Sequence, residues 1–552
     1  MPALEDPFAR TPRNQVPPLV GHNTVTGDAA LVDAVRAQAG DDAEAVLSSL
    51  AAVGELGGSA EAREHGMLAN QHEPVFRPVD RFGNRVDEVD YHPSWHWLMD
   101  KSVSNGLAGS AWADDGPSPH VRRAVGSIAW SAIEPGHGCP ASMTYAAVPA
   151  LRADPNIAAE LTPGLTSRSY DFGLRPTAEK NGLLAGMSMT EKQGGSDVRS
   201  NTTVATPQSD GSYRLTGHKW FTSAPMNDIF LTLAQAPGGL TCFVLRRVLP
   251  DGSRNSLRIV RLKDKLGNRA NASSELEYDG AHGIRLGDEG AGVRTIIEMV
   301  ASTRLDCVLG SAALMRRTVA EASWHAAHRS AFGGVLADKP AMSNVLADLA
   351  VESEAATQLG IRLARAVDEA DDPAQRAFRR ISLPVAKFWV CKRTSFHVAE
   401  ALEVLGGNGY VEESGMPMLF RESPLNSIWE GSGNVNALDV LRVLQRNPEG
   451  VDVWRDEVDA ADTPELRDGV DEVLKIIANI TDPEGAQYVA RWLAARMAVL
   501  LQASLLVRNA PAAVADAFLV SRVLGQGAGV FGTLPAGVDT AAIVRRATPV
   551  IP

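Results

Sequence analysis

Cysteine is scarce: four in 552 residues (Cys139, Cys242, Cys307 and Cys391), with no CxxC pair and no histidine cluster beside any of them. That excludes a disulfide framework and a structural zinc site, predicts no metal, and points to a reducing compartment. The chain also lacks an uninterrupted apolar span. Its most apolar stretch, residues 489–507, carries Arg491, Arg496 and Gln502, which are costly in lipid, so a buried helix and no membrane partner are expected. The opening "MPALEDPFARTPRNQVPPL" has no apolar core and is not read as a secretory signal, so the cytoplasm is the expected location. No GKS or GKT follows a glycine-rich loop and no GxGxxG joins a strand to a helix, which argues against a Walker loop and a dinucleotide fingerprint. Positive charge is in deficit as well. The net charge of −13 argues against a whole-chain polyanion binder, but not against a local basic face.

The length is too great for one core and implies several domains. Residues 1–27 read as an N-terminal arm, and 28–185 as a mostly helical domain broken by Pro and Gly loops. Texture changes across 186–285, where "SYRLTGHKWFTS", "DIFLTLAQA", "LTCFVLRRV" and "SSELEYDG" are short, aromatic and β-branched with turn residues between them. That pattern predicts an antiparallel β domain. Helical periodicity resumes over 286–445. In "KFWVCKRTSFHVAEALEVL", Phe388, Cys391, Ser395, Val398, Leu402 and Leu405 step by three and four, the stripe of a helix packed in a bundle, with Cys391 as a small core residue. A helical C-terminal domain is expected over 446–552. From Ala486 onward it holds six arginines, no lysine and two acids, which is more often a solvated face than a binding site.

Three stretches carry chemistry. "GMSMTEKQGGSD" (186–197) is rich in hydroxyls and exposes its backbone at Gly194 and Gly195, so it suits close approach of a flat or anionic ligand; a plain polar loop is the ordinary alternative. "GHKWFTS" (217–223) offers the flat face of Trp220, otherwise a core aromatic. "SIWEGSGN" (427–434) sets Glu430 beside Trp429 ahead of a helical pattern. Ser427 and Glu430 have capping-box spacing. However, Gly431 and Gly433 suit a first helical turn poorly, and Asn434 looks the better N-cap for "VNALDVLRVL".

Taken in order, "MTEKQGGSD", "GHKWF", "RSAFG" (329–333), "EVLGGNGYVEES" (403–414) and "WEGSGN" resemble the acyl-CoA dehydrogenase superfamily of flavoproteins. The resemblance covers about 70–445. "LKDKLGNRANAS" and the roughly 100-residue extension narrow it to the AidB subfamily, the adaptive-response proteins induced by DNA alkylation. The resemblance implies an acyl-CoA dehydrogenase-like fold: an N-terminal α-helical domain, a central antiparallel β domain, a C-terminal four-helix-bundle domain and a helical C-terminal extension. It also implies bound FAD. Met187, Ser188, Met189, Thr190 and Ser196 would line one side of the cofactor, and Trp220, Phe221, Thr222 and Ser223 the other. Ile428, Trp429, Ser432, Gly433 and Asn434 would close the site. Arg329, Glu403, Gly406 and Gly407 would reach the cofactor of a neighbouring subunit, making the protein a homo-oligomer, a tetramer as in the family.

On the same resemblance Glu430 would be the catalytic base that removes the α-proton of an acyl thioester. The place where isovaleryl-CoA dehydrogenases carry their base reads Thr303-Arg304 here, so Glu430 is the candidate. Trp429 and Thr303 would bound the substrate pocket, and the bulk of Trp429 predicts at most weak turnover of long chains. Met418 stands where the second signature usually has arginine, and Pro340 close to the place of a usual glutamine. The subfamily further implies sequence-independent binding of double-stranded DNA. Arg442, Arg491, Arg496, Arg508, Arg522, Arg545 and Arg546 are the candidate phosphate contacts, and alkylating small molecules are a further implied target. The other reading is a metabolic dehydrogenase of short or branched acyl-CoA.

Overall fold

Short β-branched strands with both faces apolar can be satisfied only between two other layers, and the middle of this chain occupies such a place. The computed structural model describes residues 14–447, 449–480 and 482–551; residues 1–13 of the expected arm lie outside the described residues. The first part holds helices α1 (Ala29–Ala39), α2 (Ala43–Gly57) and α3 (Ala60–Gln71), a hairpin of β1 (Val75–Val79) and β2 (Arg85–Asp90), and then α4 (Pro93–Ser104), α5 (Pro119–Ser131), α6 (Gly138–Leu151) and α7 (Pro155–Leu165). The hairpin is an addition to the helical reading of this stretch. Its strands are largely exposed, so no clean apolar alternation announced it.

The middle part is a seven-stranded sheet of β3 (Ala185–Ser188), β4 (Val204–Pro207), β5 (Tyr213–Ser223), β6 (Ile229–Ala236), β7 (Gly239–Arg246), β8 (Leu257–Leu262) and β9 (Ser273–Leu286). β5 pairs with both β3 and β9, and β3 with β6, so the sheet curls into a barrel. Pairing is antiparallel except that β3 and β4 run parallel to β6. Along β6, Phe230 and Ala234 fill the barrel, whereas Ile229, Leu231 and Leu233 pack on α6 and α7. Period two thus feeds two cores at once.

The last part opens with the long helix α8 (Gly292–His328), the short β10 (Ser330–Ala331) and β11 (Gly334–Val335), then α9 (Pro340–Asp368), α10 (Pro373–Val404), α11 (Met416–Glu422) and α12 (Gly433–Arg446). It continues as α13 (Glu449–Asp459), α14 (Pro464–Ala478), α15 (Pro483–Asn509), α16 (Ala512–Phe518) and α17 (Thr540–Ala547). One apolar cluster runs from α1 and α5 through α8, α9 and α10 into Trp454, Leu493, Leu500, Leu505 and Ile543. The final hundred residues therefore share the core of the bundle. By length and composition α15 could cross a membrane, but 72% of its most apolar window is buried inside the protein. On α10 the buried stripe runs Phe388, Cys391, Thr394, Val398 and Ala401, with Ser395, Leu402 and Leu405 only half-buried beside it. Thr394 hides its hydroxyl by donating to the Val390 carbonyl at 2.8 Å, which lets a polar residue occupy the core face.

Candidate active site

The base candidate sits where bundle and barrel meet. Thr303 and Arg304, both buried, lie on α8. The Thr303 hydroxyl donates to Oε2 of Glu430 at 2.8 Å, and Arg304 Nε donates to the Glu430 carbonyl at 2.9 Å. Glu430 has φ +57°, a left-handed backbone that costs a non-glycine residue about 1–3 kcal/mol and persists only where its surroundings impose it. Next to it Gly431 has φ +97°, and a Cβ there would meet Val435 Cγ1 at 3.0 Å, so only glycine fits. Burial raises the Glu430 carboxyl above the ordinary glutamate range, opposed by the Thr303 hydrogen bond and the charges of Lys387 and Arg304. Half-buried and raised, a carboxyl so placed is suited to take a proton.

The capping box disfavoured by the glycines is absent, and the Asn434 cap is corrected. Ser427 donates its hydroxyl to the Pro424 carbonyl at 2.9 Å, and Glu430 lies outside α12, so no capping box forms. Ser432, not Asn434, holds the N-cap position, and it makes no side-chain cap bond. Asn434 lies in the first turn and accepts a hydrogen bond from Arg491 at 3.0 Å. The Trp429 indole N–H donates to Asn426 Oδ1 at 2.9 Å, which turns the ring along the base's own loop. Ile428 is exposed, and a Cβ at Gly433 would run into the Lys392 side chain.

The glycine-rich segment divides its residues between two sides. Ser188 and Thr222 are fully buried and share a hydrogen bond of 2.8 Å between β3 and β5. Their side chains point into the barrel, so of these two lining candidates only the main chain faces a ligand on the outer side. Glu191 is buried too. The opposite alternation leaves Met187, Met189, Thr190, Trp220 and Ser223 half-buried, and Ser196 and Phe221 exposed. Trp220 N–H donates to the Thr190 carbonyl at 2.8 Å, fastening the two segments edge to edge. Lys263 Nζ lies 3.4 Å from the Trp220 ring centroid. A flat, polar group fits this face: aromatic surface and hydroxyls adjoin a main chain bared by glycine, and Lys263 is held over the Trp220 ring while paired with Glu275 at 2.7 Å.

The remaining candidates are scattered. Glu403, Gly406 and Gly407 are exposed at the end of α10. Arg329 donates to the Asn14 carbonyl, and Asn14 also bonds Ser330 in both directions at 2.8 Å, so this arginine is engaged by its own chain. Four of the seven candidate phosphate contacts are paired with acids. Arg496 pairs with Glu472, Arg508 with Glu457, Arg522 with Asp348 and Glu352, and Arg546 with Asp33 and Glu354. Although Glu352 is buried, Arg393 and Arg522 hold it at about 2. Among the described residues Arg442, Arg491 and Arg545 make no ion pair, and all three are exposed. No group of three or more His, Cys, Asp or Glu that could hold a metal occurs among the described residues.

Sequence reasoning missed two neighbours. Cys139, at the start of α6, lies close enough to Glu430 to feel its charge. Burial pushes its thiol up to about 12, against hydrogen bonds with Ser223 and Asn271, so it stays a neutral wall. Lys387 on α10 is the other; its spacing of four from Cys391 and eleven from Val398 already put it on the buried stripe.

Comparison with known proteins matches the same three parts. Residues 14–172 fit the N-terminal domain of adaptive response protein AidB, 186–281 the acyl-CoA dehydrogenase middle domain, and 290–445 its C-terminal domain. The chain is 49% identical over 436 residues to a putative acyl-CoA dehydrogenase AidB of Escherichia coli, covering 78% of this chain and 80% of that one. It is 32% identical over 409 residues to acyl-CoA dehydrogenase family member 11 of Caenorhabditis elegans, covering 70% and 65%. Among solved structures, Caenorhabditis elegans ACDH-11 in complex with C11-CoA superposes with a TM-score of 0.82 at 26% identity, covering 98% of this chain and 93% of that one. The apo-form of Bd2924 gives 0.81 at 26%, covering 90% and 100%. The chain belongs to the acyl-CoA dehydrogenase family, in the branch that carries an AidB N-terminal domain.

Proposed function

We propose that the protein binds FAD across the 187–196 and 220–223 face and removes the α-proton of a small acyl-CoA with Glu430. Family membership supports the cofactor; one solved acyl-CoA dehydrogenase of the same fold, from Bacillus anthracis, is complexed with FAD. The arrangement of Glu430 carries the reading. Its carboxylate receives a single hydrogen bond, from Thr303, and sits at a strained turn of the family's site segment. When bound, FAD would supply the acceptor for the hydride, a proton with two electrons, that leaves the β-carbon. The chain supplies the rest. Glu430 takes the α-proton, Thr303 holds the carboxylate, the half-buried Cys139 walls the site beside it, and Trp429 narrows the space for the acyl chain. Thr303 has one proton and two acceptors, Glu430 Oε2 at 2.8 Å and the Val300 carbonyl at 3.1 Å. It can therefore turn to the carbonyl when Glu430 becomes protonated, and accept a hydrogen bond from it.

The test is anaerobic flavin bleaching by isobutyryl-CoA and isovaleryl-CoA. Wild type should bleach. Glu430→Gln should keep its FAD and its thermal melt while slowing bleaching by about 10²–10⁴-fold. Equal rates would remove Glu430 from the chemistry.

We further infer an association with duplex DNA, and protection against alkylation, from the AidB branch. The observation in its favour is that Arg442, Arg491 and Arg545 are exposed and unpaired among the described residues. Three neutralised phosphates per protomer would give a slope of log affinity against log salt near about −2.7. Replacing all three arginines by alanine should flatten it; an unchanged slope would discard this surface. We also propose a homo-oligomer. Phe396, Tyr410 and Phe332 are 70%, 84% and 92% exposed on and around the bundle, and aromatic side chains of this kind are enriched at subunit interfaces. Light scattering that finds only monomer would contradict this.

A further inference from the structure

Lys387 is one of the least accessible charges in the molecule, 1% exposed on the inner face of α10. Among the described residues it makes no ion pair. Its ammonium instead donates to three main-chain carbonyls, Asn426 at 2.6 Å, Trp429 at 2.8 Å and Gly431 at 2.9 Å. An ammonium has three protons, and all three are used on one turn. The carbonyl between the last two, that of Glu430, is taken by Arg304. Asn436 donates a second hydrogen bond to the Gly431 carbonyl at 2.6 Å. The turn is thus held from the inside by two cations, with the left-handed Glu430 at its centre.

We propose that Lys387 is the positioning residue of Glu430: it gathers the carbonyls of the 426–431 turn and so fixes the backbone that presents the carboxylate to Thr303. The inference rests on reading Glu430 as the base. A buried ammonium with only neutral acceptors is costly, and methionine would pack in its place at lower cost; the turn it orders is what the charge secures. Lys387 also acts through space. Its charge favours the carboxylate form of Glu430 without touching it, as does Arg304. The other groups facing Glu430 are Thr303 and the thiols of Cys139 and Cys307, which burial keeps neutral.

The experiment measures deuterium uptake at the α-carbon of butyryl-CoA by the FAD-loaded enzyme in D2O, as a function of pH. The infrared carboxyl band that disappears in Glu430→Gln is titrated in parallel. Lys387→Gln keeps two donors and loses the charge. It should slow exchange by about tenfold or more and move both midpoints upward by about one pH unit. Lys387→Arg keeps the charge and should leave the infrared midpoint in place. If Lys387→Gln fails to fold, Lys387→Met carries the same expectation. A variant that melts earlier but exchanges at the wild-type rate and midpoint would overturn the proposal, because it shows support of the bundle only. Exchange that persists in Glu430→Gln, or is missing from wild type, would instead overturn the reading of Glu430 on which the proposal stands.

Discussion

Two carboxylates, one buried and one half-buried, each near a buried lysine, are tuned in opposite directions. Glu191, in the glycine-rich segment, receives six donors: Gln193, the N–H and hydroxyl of both Thr202 and Thr203, and Lys219 at 2.9 Å. Burial would raise it, but the Thr203 and Thr202 hydrogen bonds and Lys219 hold it far below the glutamate range. Glu430 receives one side-chain donor, its lysine gives every proton to carbonyls, and burial wins. Glu422 is a third case. It is buried with one side-chain hydrogen bond, from Asn268 at 2.8 Å, and is pushed up to about 7. Burial sets the direction only when donors are few. A saturated carboxylate is a structural pin, whereas an undersupplied one is available to accept a proton.

The contrast can be broken from either end. Lys219→Met removes the cation from the saturated site and leaves a buried charge without its partner, so it should cost about 3–5 kcal/mol in a urea melt. A loss under about 1 kcal/mol would mean the threonines suffice alone. At the intermediate site, Glu422 in the folded state holds its proton to about pH 7, against an unperturbed 4.5. Its contribution to stability is therefore full below about pH 4.5 and is lost as pH rises towards 7. Glu422→Gln should match wild type near pH 4 and exceed it above pH 8, by up to about 3 kcal/mol for this shift. Equal melting at both pH values would place Glu422 in water. The smallest change is at the undersupplied site. Thr303→Val deletes the side-chain donor to Glu430, a bond worth about 0.5–1.5 kcal/mol. The pH midpoint of bleaching should climb by up to about one unit, with little change in melting temperature. A downward move would contradict the direction assigned to that bond.

Much of the architecture was legible because periodicity changes where the architecture changes. The helical, β and helical thirds follow the residue texture, and the buried helix over 489–507 is found inside α15. The β1–β2 hairpin was not legible, because strands that face water need no apolar alternation. At the site, the sequence offered Glu430 as the base and Thr303 as a pocket residue, and these two side chains do meet. It could not show that Ser188 and Thr222 turn inward, since that depends on the register Ser188 to Thr222 across two strands. Nor could it show where the C-terminal arginines spend their charge. Asp348, Glu352 and Glu354, which take Arg522 and Arg546, lie about 170–190 residues earlier. Composition counts charges but does not pair them. Lys387 was hidden for a related reason: its acceptors are main-chain carbonyls, which every residue has.

The apolar cluster that passes unbroken from α1 through α8 to α17 also decides what can be learned by deletion. A chain cut after α12 would uncover the faces of α9 and α10 that α15 now covers, and the product would be a sticky fragment, not a smaller enzyme. Evolution meets the same constraint. Drift in the last hundred residues is coupled, through shared side chains, to the helices that hold Thr303 and Lys387. A new partner surface can be written on the outside of this tail, but its inside is part of the scaffold around the flavin site and changes only together with it.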